Sequence, residues 1–127
     1  MEDIIEFFNG HILIDGTLIK INQIFVIKPN PNRYIGGIML LLSSGNEITF
    51  EKVPMREFNA LAERSDLADF FHIQNFFINS KSIIAIAPIP EHYGFDGTHV
   101  YFEGAGKVDI PNIEYKLMLK KYRNNLN

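Results

Sequence analysis

Apolar positions along this chain fall in short clusters separated by glycine, proline and asparagine, the pattern of a small β-rich protein. HILIDGTLIKI, residues 11–21, sets Asp15-Gly16 between two β-prone runs and predicts a hairpin closed by a type I′ turn. Residues 24–28 predict the next strand. PNPN breaks it, because proline lacks a ladder donor and asparagine favours turns. Residues 35–43 predict a longer strand with a bulge at Gly36-Gly37. SSGN turns the chain, and EITFE alternates with Ile48 and Phe50 on one face. Pro54 opens a helix whose stripe is Phe58, Leu61 and Ala62 and which ends near Arg64. Residues 2–8 predict a short helix or a frayed end.

The second half repeats this order. FHIQNFFIN predicts one strand, SIIAIA another, then a proline-rich loop, THVYFE, a GAG turn and the alternating KVDI. Pro111 opens a last helix with Ile113 and Leu117 on its apolar side, Met118 and the Lys121 stem beside them. INQIFVIKP and SKSIIAIAP match across 59 residues, from Ile24 and Ile83 through Ile27 and Ile86 to Pro29 and Pro88. The helices align as Phe58 with Tyr115. The expected fold is therefore mainly β (α+β), one domain over 1–127, with two copies of a sheet-plus-helix unit at about 18–64 and 76–123. One such unit has too little core to stand alone. Ile24, Ile27, Ile48, Phe50, Phe58, Ile83, Ile86, Val108, Ile110 and Leu117 are the expected core.

Composition narrows the chemistry. The chain has no cysteine, so disulfides and thiolate metal sites are excluded, which fits a reducing compartment. Its longest apolar run, IMLLL, is too short to span a bilayer, and MEDIIEFF is not a secretory signal. The expectation is a cytoplasmic protein with no membrane association. Net charge is −3 but uneven: Lys116, Lys120, Lys121 and Arg123 against Glu114 leave the last fifteen residues at +3 and the rest at −6. Only that tail could face nucleic acid. On a helix Lys116 and Lys120 share one side, from which Lys121 and Arg123 diverge.

Catalytic patterns are missing. Glu91, His92, Asp96 and His99 gather in EHYGFDGTH, where oxygen and nitrogen donors could take a divalent metal, but the spacing matches no standard site. EGAGKV fails the phosphate-loop pattern at Tyr101 and Val108, and no G-x-S-x-G elbow exists. Asp66 and Asp69 read as acids of a capped turn after Ser65 rather than an acid–base pair. No catalytic residue, cofactor or metal is expected. FFHIQNFF, read as a continuous strand, puts Phe70, His72, Gln74 and Phe76 on one face and Phe71, Ile73, Asn75 and Phe77 on the other. Phe70, His72 and Phe76 are the candidate partner contacts.

From Ile21 to about Arg123 the order of elements resembles the LytTR family, small β-rich modules that bind duplex DNA in bacterial regulators. QIFVI, EITF, REFNALAE and SKSIIAI carry the likeness, with Phe70, Phe71, Phe77 and Asn79 in the place of the family's hallmark strand. There His72 stands for the first arginine, and Gln74-Asn75 replaces the His-Arg-Ser core. The resemblance implies a regulatory DNA-binding module, with Lys116, Lys120, Lys121 and Arg123 as the nucleic-acid contacts. Charge and the lost arginines favour instead a non-enzymatic regulatory or scaffolding module that binds a protein partner or forms a homo-oligomer. A small enzyme or metal site in the 91–99 loop is the third reading.

Overall fold

The computed structural model describes residues 4–90, 93–94, 96–104 and 106–126. The elements in order are β1 (Ile5–Phe8), β2 (His11–Ile14), β3 (Thr17–Lys20), β4 (Ile24–Pro29), β5 (Ile38–Leu42), β6 (Glu47–Phe50), α1 (Met55–Ala60), β7 (Phe70–Ile73), β8 (Phe76–Asn79), β9 (Ile83–Pro88), β10 (Gly97–Phe102), β11 (Gly106–Pro111) and α2 (Tyr115–Leu126). Single helical turns precede β4 and β9 and follow α1. The strands form three antiparallel sheets: a central one in the order β6-β5-β4-β8-β7, and two outer ones, β1-β2-β3 and β9-β10-β11. The protein is mainly β.

The central sheet contributes to two separate cores. Ile24, Ile27 and Leu40 join Ile12, Ile14 and Ile19 of the first outer sheet, with Phe58 of α1. Val26, Phe71 and Ile78 join Val100 and Ile110 of the other outer sheet, with Met118 of α2. Neighbouring residues of a strand point to opposite faces, so Val26 and Ile27 feed different cores. This explains why β4 reads as an unbroken apolar run: it is covered on both faces and paired on both sides.

The elements from β2 to α1 and from β7 to α2 run in the same order. Hydrogen bonds recur with them. Ile21 N–H donates to Gly10 O at 3.0 Å, and Ser80 N–H donates to Asp69 O at 2.9 Å, both partners lying 59 residues on. Asn30 N–H to Gly37 O is matched by Ile89 N–H to Gly97 O. Both meanders carry a bulge at the same place, Phe25 in β4 and Ile84 in β9. A β-carbon on Gly37 would overlap the Phe50 carbonyl oxygen, and one on Gly97 would lie 2.6 Å from the Ile110 carbonyl oxygen. A hairpin stands ahead of each of these strands, β2–β3 before β4 and β7–β8 before β9.

Several expectations are corrected. Residues 5–8 form a strand, because they find a partner in β2. Gly36 and Gly37 lie ahead of β5, both at positive φ, rather than bulging within it. FHIQNFFIN is no single strand. It is the hairpin β7–β8, turning at Gln74-Asn75 with Gln74 at φ 50°. In the helices Phe58 corresponds to Met118, not Tyr115. Both are fully buried, while Leu117 is 43% exposed and Ile48, Ile86 and Val108 are half-buried. Ile24, Ile27, Phe50, Phe58, Ile83 and Ile110 are buried as expected.

Candidate interaction site

Because the strand folds back at Gln74, Phe70, His72 and Phe76 do not share a face. Phe70 lies in the first core, and Phe76 packs half-buried against the second. His72 alone of the three is exposed. Its ring stacks on that of its cross-strand partner Phe77, centroids 4.3 Å apart and planes within 7°. Desolvation pushes the imidazole below its ordinary pKa, Lys121 adds to this, and a hydrogen bond with the Gln74 backbone opposes it. His72, Phe77 and Lys121 line a hollow closed by Leu61, Arg64 and Asn125.

The basic side chains of α2 divide differently from the expectation. Lys116, Lys120 and Arg123 line one hollow, so Arg123 belongs with the first two. Lys121 alone turns away, toward His72. Three and four residues separate helical neighbours, and Arg123 lies three beyond Lys120.

The 91–99 loop is not assembled as a ligand set by what is described. Glu91 and His92 lie outside the described residues, and among those described no three metal-ligating side chains cluster. His99 is a buried strand residue of β10. Its Nδ1 lies 2.6 Å from Asp109 Oδ1, directly across the β10–β11 ladder, with the Tyr101 and Tyr93 rings edge-on to it. Asp66 pairs with Arg64 at 2.7 Å and Asp69 with Lys81 at 3.3 Å, so each carboxylate has its own cation. The cap position of the turn Ser65–Leu67 is held by Arg64, not Ser65, and carries no side-chain capping hydrogen bond.

Sequence reasoning missed the outer edge of β9. This strand ends its sheet, and no other strand pairs with that edge among the described residues. Ile84 is 66% exposed and Ala85 is exposed beside it. The matching strand β4 carries β8 on the equivalent edge, and there Phe25 and Val26 are buried. The apolar run SIIAIA marks a strand, but only the strand order shows that one of its sides is left unpaired among the described residues.

No helix among the described residues is long and apolar enough to cross a membrane. Comparison with protein families, with curated proteins and with solved structures found no match to any.

Proposed function

We propose that this chain is a non-enzymatic cytoplasmic module, built from a duplicated unit, that binds another protein as a regulator or scaffold. The observation that supports it is the unpaired edge of β9. An apolar strand with free backbone donors and acceptors is a template for one more strand, and such addition is a common mode of peptide recognition. Ile84 is the side chain placed to anchor the partner. A photo-reactive phenylalanine analogue at position 84, activated in living cells, tests it. A protein adduct insensitive to nuclease is the expected result. An adduct lost on nuclease treatment, or none at all, overturns the reading.

A second reading is a duplex-DNA binder of LytTR type. It is favoured by the shared face of Lys116, Lys120 and Arg123 on α2. It is opposed by a body whose charge sums to −6 outside the tail.

A further inference from the structure

Within the chain, β8 covers the outer edge of β4, with Val26 opposite Ile78 and Ile27 opposite Phe77. The counterparts 59 residues away are β9 for β4 and β3 for β8. Neither counterpart has a strand on its outer edge among the described residues: β9 and β3 are both end strands. Their exposure follows. Residues 24–27 of β4 and 77–79 of β8 are buried throughout, whereas β9 buries only Ile83 and β3 only Ile19.

We infer that β9 of one copy pairs with β3 of a second copy, so that the β4–β8 ladder is repeated between chains. The inference rests on the reading of β9 as the binding edge and names its occupant. Carried over at the same spacing, the register sets Ala85 opposite Ile19 and Ile86 opposite Leu18. The bulge residues give an independent contact. Phe25 stacks on Phe102 at 4.9 Å, joining the halves within one chain. Ile84 occupies the place of Phe25, and Leu42 the place of Phe102, since Ile24 faces Leu42 across its ladder as Ile83 faces Phe102. Leu42 is only half-buried against the first core. Pairing brings Ile84 onto Leu42 of the second copy, so two incompletely covered side chains cover each other. The polar end of the ladder is also served. Asn79 Nδ2 donates to Ile24 O at 3.0 Å, and Lys20, its counterpart, carries an ammonium able to donate to Ile83 O.

A foreign strand would meet the β9 edge but not this matched set of counterparts, and so a second copy is the occupant. The contact joins two different surfaces. It is therefore heterologous, and it closes as a ring or continues as a fibre.

The test uses two charge variants at exposed positions, Ile84→Arg to block the β9 end and Leu18→Arg to block the β3 end. In sedimentation equilibrium the unaltered chain exceeds its 14.6 kDa monomer mass as concentration rises. Each variant alone stays monomeric, and an equimolar mixture forms a one-to-one pair that grows no further. A chain monomeric up to about millimolar concentration, variants that still assemble alone, or a mixture that fails to pair each overturns the inference. Because the chain has no cysteine, Leu18→Cys mixed with Ile86→Cys checks the register under mild oxidation. A mixed disulfide supports it, and assembly without that disulfide overturns it. If position 84 cross-links other proteins in cells while the pure chain stays monomeric, the partner-binding reading stands and the second-copy inference falls.

Discussion

Phe58 and Met118 lie at matching points of the two helices, and each donates its amide to the carbonyl four residues earlier, Pro54 at 3.2 Å and Glu114 at 3.0 Å. Both are fully buried, each the helix's plug in a different core. Phe58 meets Phe77 edge-on at 5.1 Å. Truncating either to alanine removes apolar contacts and leaves a cavity, at a cost of about 2–5 kcal/mol. Leu117→Ala, one position from Met118 but exposed, changes stability by less than about 0.5 kcal/mol. Urea denaturation of the three variants checks the assignment. A large loss at Leu117 with none at Met118 would put the helix in the wrong rotation.

Gly37 sits at φ +86° against the Phe50 carbonyl, so a methyl group there has neither the conformation nor the space. Gly37→Ala is expected to cost about 3 kcal/mol. Gly45 has a similar φ of +87° but open surroundings. There alanine meets only the backbone penalty, about 1–2 kcal/mol. Thermal unfolding of the two variants separates space from conformation.

Asn79 is a buried polar tie between the halves. Its side chain donates to Ile24 O at 3.0 Å and accepts from Lys81 N–H at 3.1 Å. Asn79→Ala leaves both backbone groups short of a partner, at about 1–3 kcal/mol. Hydrogen exchange should accelerate first at β8 and at the β4 amides facing it. Uniform loss of protection over the whole chain would mean that the tie is not local.

His72 is expected to set a pH dependence whose sign follows from its lowered pKa. Its folded pKa is below the unfolded value of 6.5, so the unfolded chain binds its proton more readily. Its effect on stability is therefore neutral above 6.5 and unfavourable as pH falls from there through the lowered folded value. His72→Phe keeps an aromatic stack on Phe77 and removes the proton. The variant should lose less stability than the unaltered chain between pH 7 and the acid side of that window. An NMR titration midpoint for His72 above 6.5 would contradict the direction.

Duplex DNA is expected to bind no tighter than about micromolar at physiological salt, the weak end of non-specific affinity. Fragments titrated at two salt concentrations measure it. Nanomolar binding, weakened by charge reversal at Lys116 and Lys120, would restore the DNA reading.

The architecture was legible where residue type and turn chemistry agreed. Asp15-Gly16 announced its hairpin, and both residues take positive φ as the predicted turn requires. The equivalent turn at Gln74-Asn75 was hidden because glutamine is an unusual left-handed residue. The 59-residue spacing pointed to it, since Gln74 stands where Asp15 does. The sequence aligns Phe58 with Tyr115, but burial follows position on the helix and selects Met118. For the site, FFHIQNFF drew attention through its aromatics, yet most of them are core. The uncovered edge of β9 is a property of topology, which no residue pattern states. The covering of β4 by β8 depends on a contact between the halves.

That covering has a consequence during synthesis. The ribosome delivers β4 some fifty residues before β8. Until residues 76–79 have left the exit channel, the nascent first half presents an apolar strand edge as open as the one β9 presents in the finished protein. Completed early, β4 must wait, and a stalled or truncated chain exposes a sticky border that the full-length protein conceals.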